Sequence, residues 1–360
     1  MPPFSCREMP EVPACRLASA DDVFDPDKLA TLIGPVREMS RRPMVTSGYT
    51  AAHHERLDVT LSTGESRRLV VKRVRPAADW TASRTGGRLG REATLLGEPA
   101  LAAVWEEIEC PYLAFWSVGG EIGLVMDDLS PFLLPDVRTP LTVQQEEQLL
   151  AALAGMHARF WSSPSLDLPW LARAEHYAGL LDAQSATQDD PGDKLPTPFH
   201  QRVQLGWATA RRHMPTSIAA ALARPAAEVA RAWEGLPQTL LHGDVKVANF
   251  ALMPGHKVAA FDWAMLGSGP VTLDVGWYLA VNASRLARPK DELLVRYRVL
   301  LTQRLGLPLS DALWDSLVRV AVISGARMLL WSKALALESA GPGAREEWAW
   351  WVEHLEAALQ

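Results

Sequence analysis

Residues 241–249 read LHGDVKVAN. One acid, Asp244, and one amide, Asn249, stand five positions apart, just past the apolar run Thr239-Leu240-Leu241. The run has the character of a short buried strand. Downstream come FALM (250–253), Pro254-Gly255-His256 and KVAAFDW (257–263). Two short apolar segments around a Pro-Gly turn predict a hairpin. Such a hairpin carries Asn249 just before its first strand and Asp262 at the end of its second, so two hard oxygen ligands can meet. Mg²⁺ takes few such ligands and fills its octahedron with water and substrate phosphates. Asp244, on the loop before them, then faces an acceptor hydroxyl as base or orienting group.

Outward from this stretch, the chain divides in character. His54–Leu61 (HERLDVTL) alternates, STGE (62–65) is a turn, and RRLVVKRV (67–74) is rich in β-branched residues, which predicts a hairpin. Residues 88–104 lean helical, with Gly90, Gly97 and Pro99 as interruptions. A second hairpin is expected from Tyr112–Val118 and Ile122–Met126 around GGE. After Asp127-Asp128 the pattern becomes helical. Leu149, Leu153, Met156 and Phe160 recur at helical spacing in 143–161, and further helices are expected over 201–234, 272–285, 290–305, 310–338 and 343–359. The expectation is an α+β fold in two lobes.

Composition excludes several classes. Hydrophobic residues make up 48% and charged residues 22% of 360, as in an ordinary globular protein. A net charge of −6 offers no attraction to nucleic acid or to an anionic membrane. No uninterrupted apolar run approaches the roughly 20 residues that span a bilayer, and the N-terminus lacks the apolar core of a signal peptide. Cys6, Cys15 and Cys110 are too few and too scattered for a disulfide framework or a zinc site, which points to a reducing, cytoplasmic setting.

The motifs resemble those of the aminoglycoside phosphotransferase and choline kinase family, a branch of the protein-kinase-like fold. Its catalytic loop reads H-G-D, four residues and N, and its metal aspartate sits in an apolar-x-D-W motif. Here these are His242-Gly243-Asp244…Asn249 and Phe261-Asp262-Trp263. The resemblance implies a bilobal fold, with an ATP-binding N-lobe over residues 1–127 and a C-lobe over 128–360 that holds the catalytic loop, metal site and acceptor pocket. It implies that Asp244 is the catalytic aspartate and that Asn249 and Asp262 bind Mg²⁺. Lys246 stands where related protein kinases carry a loop lysine that touches the transferred phosphate.

The fold also needs a strand lysine on the nucleotide phosphates, paired with a helix glutamate. Lys72 in LVVKRV fits the first role. Glu92 in REATLL fits the second, with Glu98 as its rival. No G-x-G-x-x-G is present, and the phosphate-covering turn is placed at VTSGYTA, with Gly48. LVMDDLS (124–130) resembles the hinge, where adenine meets backbone groups from Met126 and Asp127 to Leu129. Asp274 matches the family's structural aspartate, which braces the catalytic loop.

The activity so implied is transfer of the γ-phosphate of ATP to a hydroxyl of a small molecule. Acceptors in the family include aminoglycosides, other antibiotics, choline and sugars. A cationic acceptor calls for acids in the helical lobe, and Asp182, Asp189, Asp190 and Glu338 are the candidates. The alternative is a pseudokinase-like nucleotide-binding module without transfer, against which every residue needed for metal and base is present. A protein kinase is disfavoured, because Phe261-Asp262-Trp263 replaces D-F-G and no A-P-E follows. Other polar features read as plain structure: His157 as a packed core histidine, Glu146-Glu147 and the arginines of 208–212 as solvated helix faces, and the tryptophans around 348–351 as helix packing.

Overall fold

The computed structural model describes residues 14–44, 52–134, 139–186, 196–341 and 343–360. The N-terminal part is built on strands β1 (Cys15–Arg16), β2 (Val36–Met44), β3 (His53–Leu61), β4 (Ser66–Val74), β5 (Tyr112–Val118) and β6 (Glu121–Asp127). They form one sheet in the order β1-β5-β6-β4-β3-β2. Both predicted hairpins are present, with Leu57 opposite Leu69 in β3–β4 and Val118 opposite Glu121 in β5–β6. The β5–β6 turn closes through Gly119 and Gly120, both at positive φ, as a tight right-twisted hairpin turn requires.

Alternation splits the sheet into two faces. Leu57, Val59, Leu61, Leu69, Val71, Trp116 and Val125 pack on one side with Val23 and Leu29. These last two come from helices α1 (Asp21–Phe24) and α2 (Pro26–Ile33), the second capped by the Asp25 carboxylate and stopped at Gly34. The opposite face carries Val70, Lys72, Leu124 and Met126. Lys72 apart, these join the main core with Ala93, Leu95 and Leu96. The connection from β4 to β5 holds α3 (Trp80–Thr85), α4 (Arg91–Leu96) and α5 (Val104–Glu107). Gly97 and Pro99 end α4 within the helix expected over 88–104 and separate it from α5.

The remainder is mainly helical: α6 (Val143–Arg159), α7 (Ala174–Gly179), α8 (Thr197–His213), α9 (Thr216–Leu222) and α10 (Ala226–Arg231) lead into β7 (Gln238–Leu241). The hairpin β8 (Phe250–Met253) and β9 (Lys257–Ala260) follows, then β10 (Gly267–Pro270), which pairs with β7. Helices α11 (Thr272–Val281), α12 (Lys290–Leu305), α13 (Asp311–Glu338) and α14 (Ala344–Ala358) complete the chain. The α+β class is as expected from the sequence.

One sequence expectation stands beside a helix that bears on it, and two need correction. α13 is long and apolar enough to cross a membrane by length and composition, although no uninterrupted apolar run reaches that length; 61% of its apolar window is buried inside the protein. Its packing against α8, α11 and α14 is that of a core helix. Cys15 is disulfide-bonded while Cys110 is free, so the reading of all three cysteines as reduced thiols fails for Cys15. Glu146 is 0% exposed rather than solvated. Its carboxylate accepts from the Ala287 amide at 2.8 Å and pairs with Arg288 at 2.7 Å, while Glu147 pairs with Arg288 and Arg296.

Candidate active site

β7 ends at Leu241 and delivers the loop His242–Asn249 into the interior. The loop is fixed from behind by Asp274, at the start of α11. Its two carboxylate oxygens accept from the backbone amides of His242 and Gly243, both at 2.8 Å. His157 on α6 adds a third contact, Nε2 to Asp274 at 3.1 Å. Gly243 has φ +80°, and a Cβ there would lie 2.2 Å from the Met265 carbonyl oxygen. The second position of H-G-D therefore has to be glycine. Asn282 secures the far side: its side chain accepts from the Val247 amide and donates to the Val245 carbonyl, each at 2.9 Å.

Within this frame the Asp244 carboxylate receives three donors. Oδ1 accepts from the Trp277 indole N–H at 2.8 Å. Oδ2 accepts from Asn249 Nδ2 at 3.0 Å and pairs with Lys246 Nζ at 2.8 Å. Burial is the strongest single influence and acts to lower the Lys246 pKa, but the charge and hydrogen bond of Asp244, with the charge of Asp262, together hold the ammonium above its ordinary value. Asn249 also donates to the Asp244 carbonyl at 2.8 Å. With Nδ2 so committed, the amide oxygen is the end of Asn249 left for a cation.

The hairpin brings Asp262 alongside. The Phe261 amide donates to the Asn249 carbonyl at 3.1 Å, so the two predicted ligands sit on backbone segments bonded to each other. Asp262 adopts the left-handed conformation, φ 64° and ψ 54°, which Asp tolerates better than most residues. The turn sends its carboxylate across to the N-terminal sheet. Lys72 Nζ lies 2.8 Å from Asp262 Oδ1 and 2.6 Å from Glu92 Oε2. Glu92 Oε1 accepts from the Tyr112 hydroxyl at 2.6 Å and from the Asp262 amide at 2.9 Å. Glu98, the rival acid, instead caps its own turn by accepting from the Ala100 amide.

Charge balance keeps these groups ionised. Burial pulls the Lys72 pKa down, yet Asp262 and Glu92 beside it more than compensate and hold it above the ordinary lysine value. Burial is the strongest single influence and pushes the Asp262 carboxyl up, but the charge and hydrogen bond of Lys72, with the charge of Lys246, together hold it well below the usual carboxylate range. Among the described residues, no group of three or more His, Cys, Asp or Glu side chains could hold a metal ion. The donor set that could take one is thus Asp262 with the Asn249 oxygen. That suits Mg²⁺, which binds one or two protein oxygens and completes its shell with water and phosphate, and does not suit Zn²⁺.

A family model described as "Phosphotransferase enzyme family" matches residues 51–307. The chain belongs to this family. A search of curated proteins gives no match. Among solved structures, the chain is similar to an aminoglycoside phosphotransferase from Alicyclobacillus acidocaldarius (16% identity, 88% of this chain and 90% of that one, TM-score 0.44). It is also similar to a choline/ethanolamine kinase family protein from Mesorhizobium loti (14%, 95% and 93%, TM-score 0.43). A choline kinase from Streptococcus pneumoniae gives 11% identity over 95% and 99% of the two chains, with a TM-score of 0.47.

Other expected site residues of this phosphotransferase-family chain fall as follows. Met126 is opposite Val70 and 7% exposed, on the Lys72 face of the sheet. The Asp127 amide is committed to the Pro111 carbonyl at 3.1 Å and its carboxylate to Arg67, while the Asp128 amide donates to Arg68. The Asp127 and Asp128 amides are thus both committed within the fold. Gly48, Asp189 and Asp190 lie outside the described residues. The remaining acid candidates for a cationic acceptor are corrected. Asp182 is 2% exposed and neutralised by Arg327. Glu338 pairs on the surface with Arg212 and His213. Trp277 and Asn282 were not anticipated from the sequence. Asp274 and Trp277 stand three apart on α11, which puts both on one helix face, and that spacing is the signal that could have flagged Trp277.

Proposed function

We propose that the protein is an ATP-dependent small-molecule kinase, moving the γ-phosphate to a hydroxyl of a small acceptor. The reading rests on the convergence of Lys72 and Glu92, from the sheet and its helix, with Asp262 of the hairpin, next to the Asn249–Asp244 pair. In it, Lys72 and Lys246 meet phosphate oxygens, and the hinge edge from Met126 to Leu129 takes the adenine. Asp262 and Asn249 hold Mg²⁺. When bound, Mg²⁺ neutralises phosphate charge and orients the transferred group.

Asp244 receives three hydrogen-bond donors, so its carboxylate is held in one orientation and its negative charge is dispersed. That makes it a group that positions the acceptor hydroxyl and takes its proton as the bond to phosphorus forms, rather than a strong base acting beforehand. Such division of labour suits phosphoryl transfer, where positioning and charge neutralisation do most of the catalysis. The experiment is a panel of hydroxylated small molecules with ATP and Mg²⁺, read by coupled ADP release, for wild type and Asp244→Asn. Transfer to at least one acceptor, reduced on the order of 10²-fold or more by the substitution, is the expected result. ATP binding without transfer to any acceptor would favour the nucleotide-binding module instead.

A further inference from the structure

Lys72, Glu92 and Asp262 line a small cavity of about 40 Å³ together with Asp79, Ala82 and Ile122. Asp79 is 5% exposed. Its Oδ1 accepts from the Ala82 amide at 2.9 Å, which caps α3. Among the described residues its other oxygen, Oδ2, is buried without a hydrogen-bond partner. A cap needs one carboxylate oxygen, so the cap accounts for half of this side chain only. Leaving the other acceptor buried and unmatched is costly. The cavity supplies what would match it. An ammonium carries three N–H donors, and Glu92 and Asp262 take two of those on Lys72. A polar cavity of this size holds a water if two or more polar partners face it.

We infer that Asp79 is a positioning residue for Lys72, acting through a water in this cavity that accepts the third ammonium N–H and donates to Asp79 Oδ2. The inference rests on the phosphotransfer reading of the site. Glu92 and Asp262 fix the lysine from two directions, and one of them, Asp262, is also the proposed cation ligand. Asp79 provides a further acid that keeps the ammonium oriented when Asp262 turns to the cation. It stands on a segment tied to the helical part of the protein: Arg84 of α3 donates to the Leu180 carbonyl at 2.6 Å, and Trp80 packs against Phe199 with ring centroids 5.9 Å apart. The lysine is thereby referenced to both halves of the molecule.

The test uses Asp79→Asn, which keeps an oxygen for the cap and removes the acid, with Asp79→Ser as a second cap-preserving variant. ATP affinity in Mg²⁺ is measured by titration calorimetry, in the wild-type background and in Lys72→Met/Glu92→Gln. Loss of one hydrogen bond to a charged group predicts affinity about tenfold weaker in the wild-type background. Because the effect runs through the lysine, the same substitution should change nothing further in the Lys72→Met/Glu92→Gln background. Unchanged affinity, or an equal loss in both backgrounds, overturns the inference. So does failure of both cap-preserving variants to fold, which would assign the carboxylate to the fold itself. Absence of ATP binding to the wild type would instead remove the phosphotransfer reading on which the inference stands.

Discussion

The Lys72 ammonium lies 2.8 Å from Asp262 Oδ1, although 190 positions separate the two in the chain. The side chains of Lys72 and Glu92, its other partner, are 9% and 5% exposed. Removing one member of such a buried pair leaves an uncompensated charge, which costs about 3–5 kcal/mol. Lys72→Met is therefore expected to lower the unfolding free energy by that order, and Lys72→Met/Glu92→Gln to recover most of it. Neither should recover activity, which falls on the order of 10²-fold or more with loss of the phosphate-facing donor. Urea denaturation alongside coupled ADP release separates the two effects. Restored activity in the double variant would show that Lys72 serves the fold alone.

Trp277 gives a prediction of a different kind. Among the described residues its indole N–H is the one donor on Asp244 Oδ1, and it comes from a helix rather than from the catalytic loop. Trp277→Phe keeps most of the packing and removes the hydrogen bond. Loss of one oriented bond of this type predicts kcat lower by about tenfold, with the unfolding midpoint close to wild type and the KM for ATP unchanged. A loss confined to KM for ATP would place Trp277 elsewhere in the mechanism.

The catalytic loop and hairpin were legible because their chemistry is local. Asp244, Asn249 and Asp262 fall within 19 positions, bounded by strand and turn signals. What escaped notice was non-local. β2 (VREMSRRPM) is charged, lacks alternation and contains Pro43, so nothing in it reads as a strand; it forms the sheet edge, where a missing N–H is tolerated. β10 is only Gly-Ser-Gly-Pro. It pairs with β7, and Gly267 has to be glycine there because a Cβ would meet the Tyr177 hydroxyl and the Ala172 carbonyl at 2.2 and 2.5 Å. Glu146 and Asp182 read as solvated or functional acids because their cationic partners, Arg288 and Arg327, are 142 and 145 positions away.

His242 makes stability depend on pH. It is 0% exposed, its Nε2 faces the Phe261 carbonyl at 3.2 Å, and its Nδ1 accepts from the Asp244 amide at 3.3 Å. That arrangement needs the neutral ring. Burial holds its pKa below the ordinary 6.5, against the opposing pull of Asp274, Asp244 and Asp262. The unfolded chain therefore takes up the proton first as pH falls. The stability this histidine contributes is complete above about 6.5 and is lost as pH drops toward its depressed folded value, at up to about 1.4 kcal/mol per pH unit. Urea midpoints from pH 8 to pH 5.5 should fall more steeply for wild type than for His242→Gln. Parallel slopes would show that the folded protein takes up this proton as readily as the unfolded chain, and that burial does not hold the ring neutral.

Asp182 provides the sharpest test of whether an acid here belongs to the acceptor pocket or to the fold. Its carboxylate meets Arg327, whose side chain is 0% exposed and which also donates to the Ala178 and Leu222 carbonyls at 2.7 Å each. This guanidinium joins α13 to the α7 and α9 segments, and Asp182 supplies its only opposite charge among the described ion pairs. Asp182→Asn should cost about 3–5 kcal/mol, because a buried cation loses its counter-ion. Arg327→Met should cost less than the sum expected from independent contacts when combined with Asp182→Asn, since each removes the other's unpaired charge. In both variants the folded fraction should keep its KM for ATP and for the acceptor. An acceptor KM that rises in Asp182→Asn with stability untouched would return this acid to the substrate pocket and displace the structural role assigned to it.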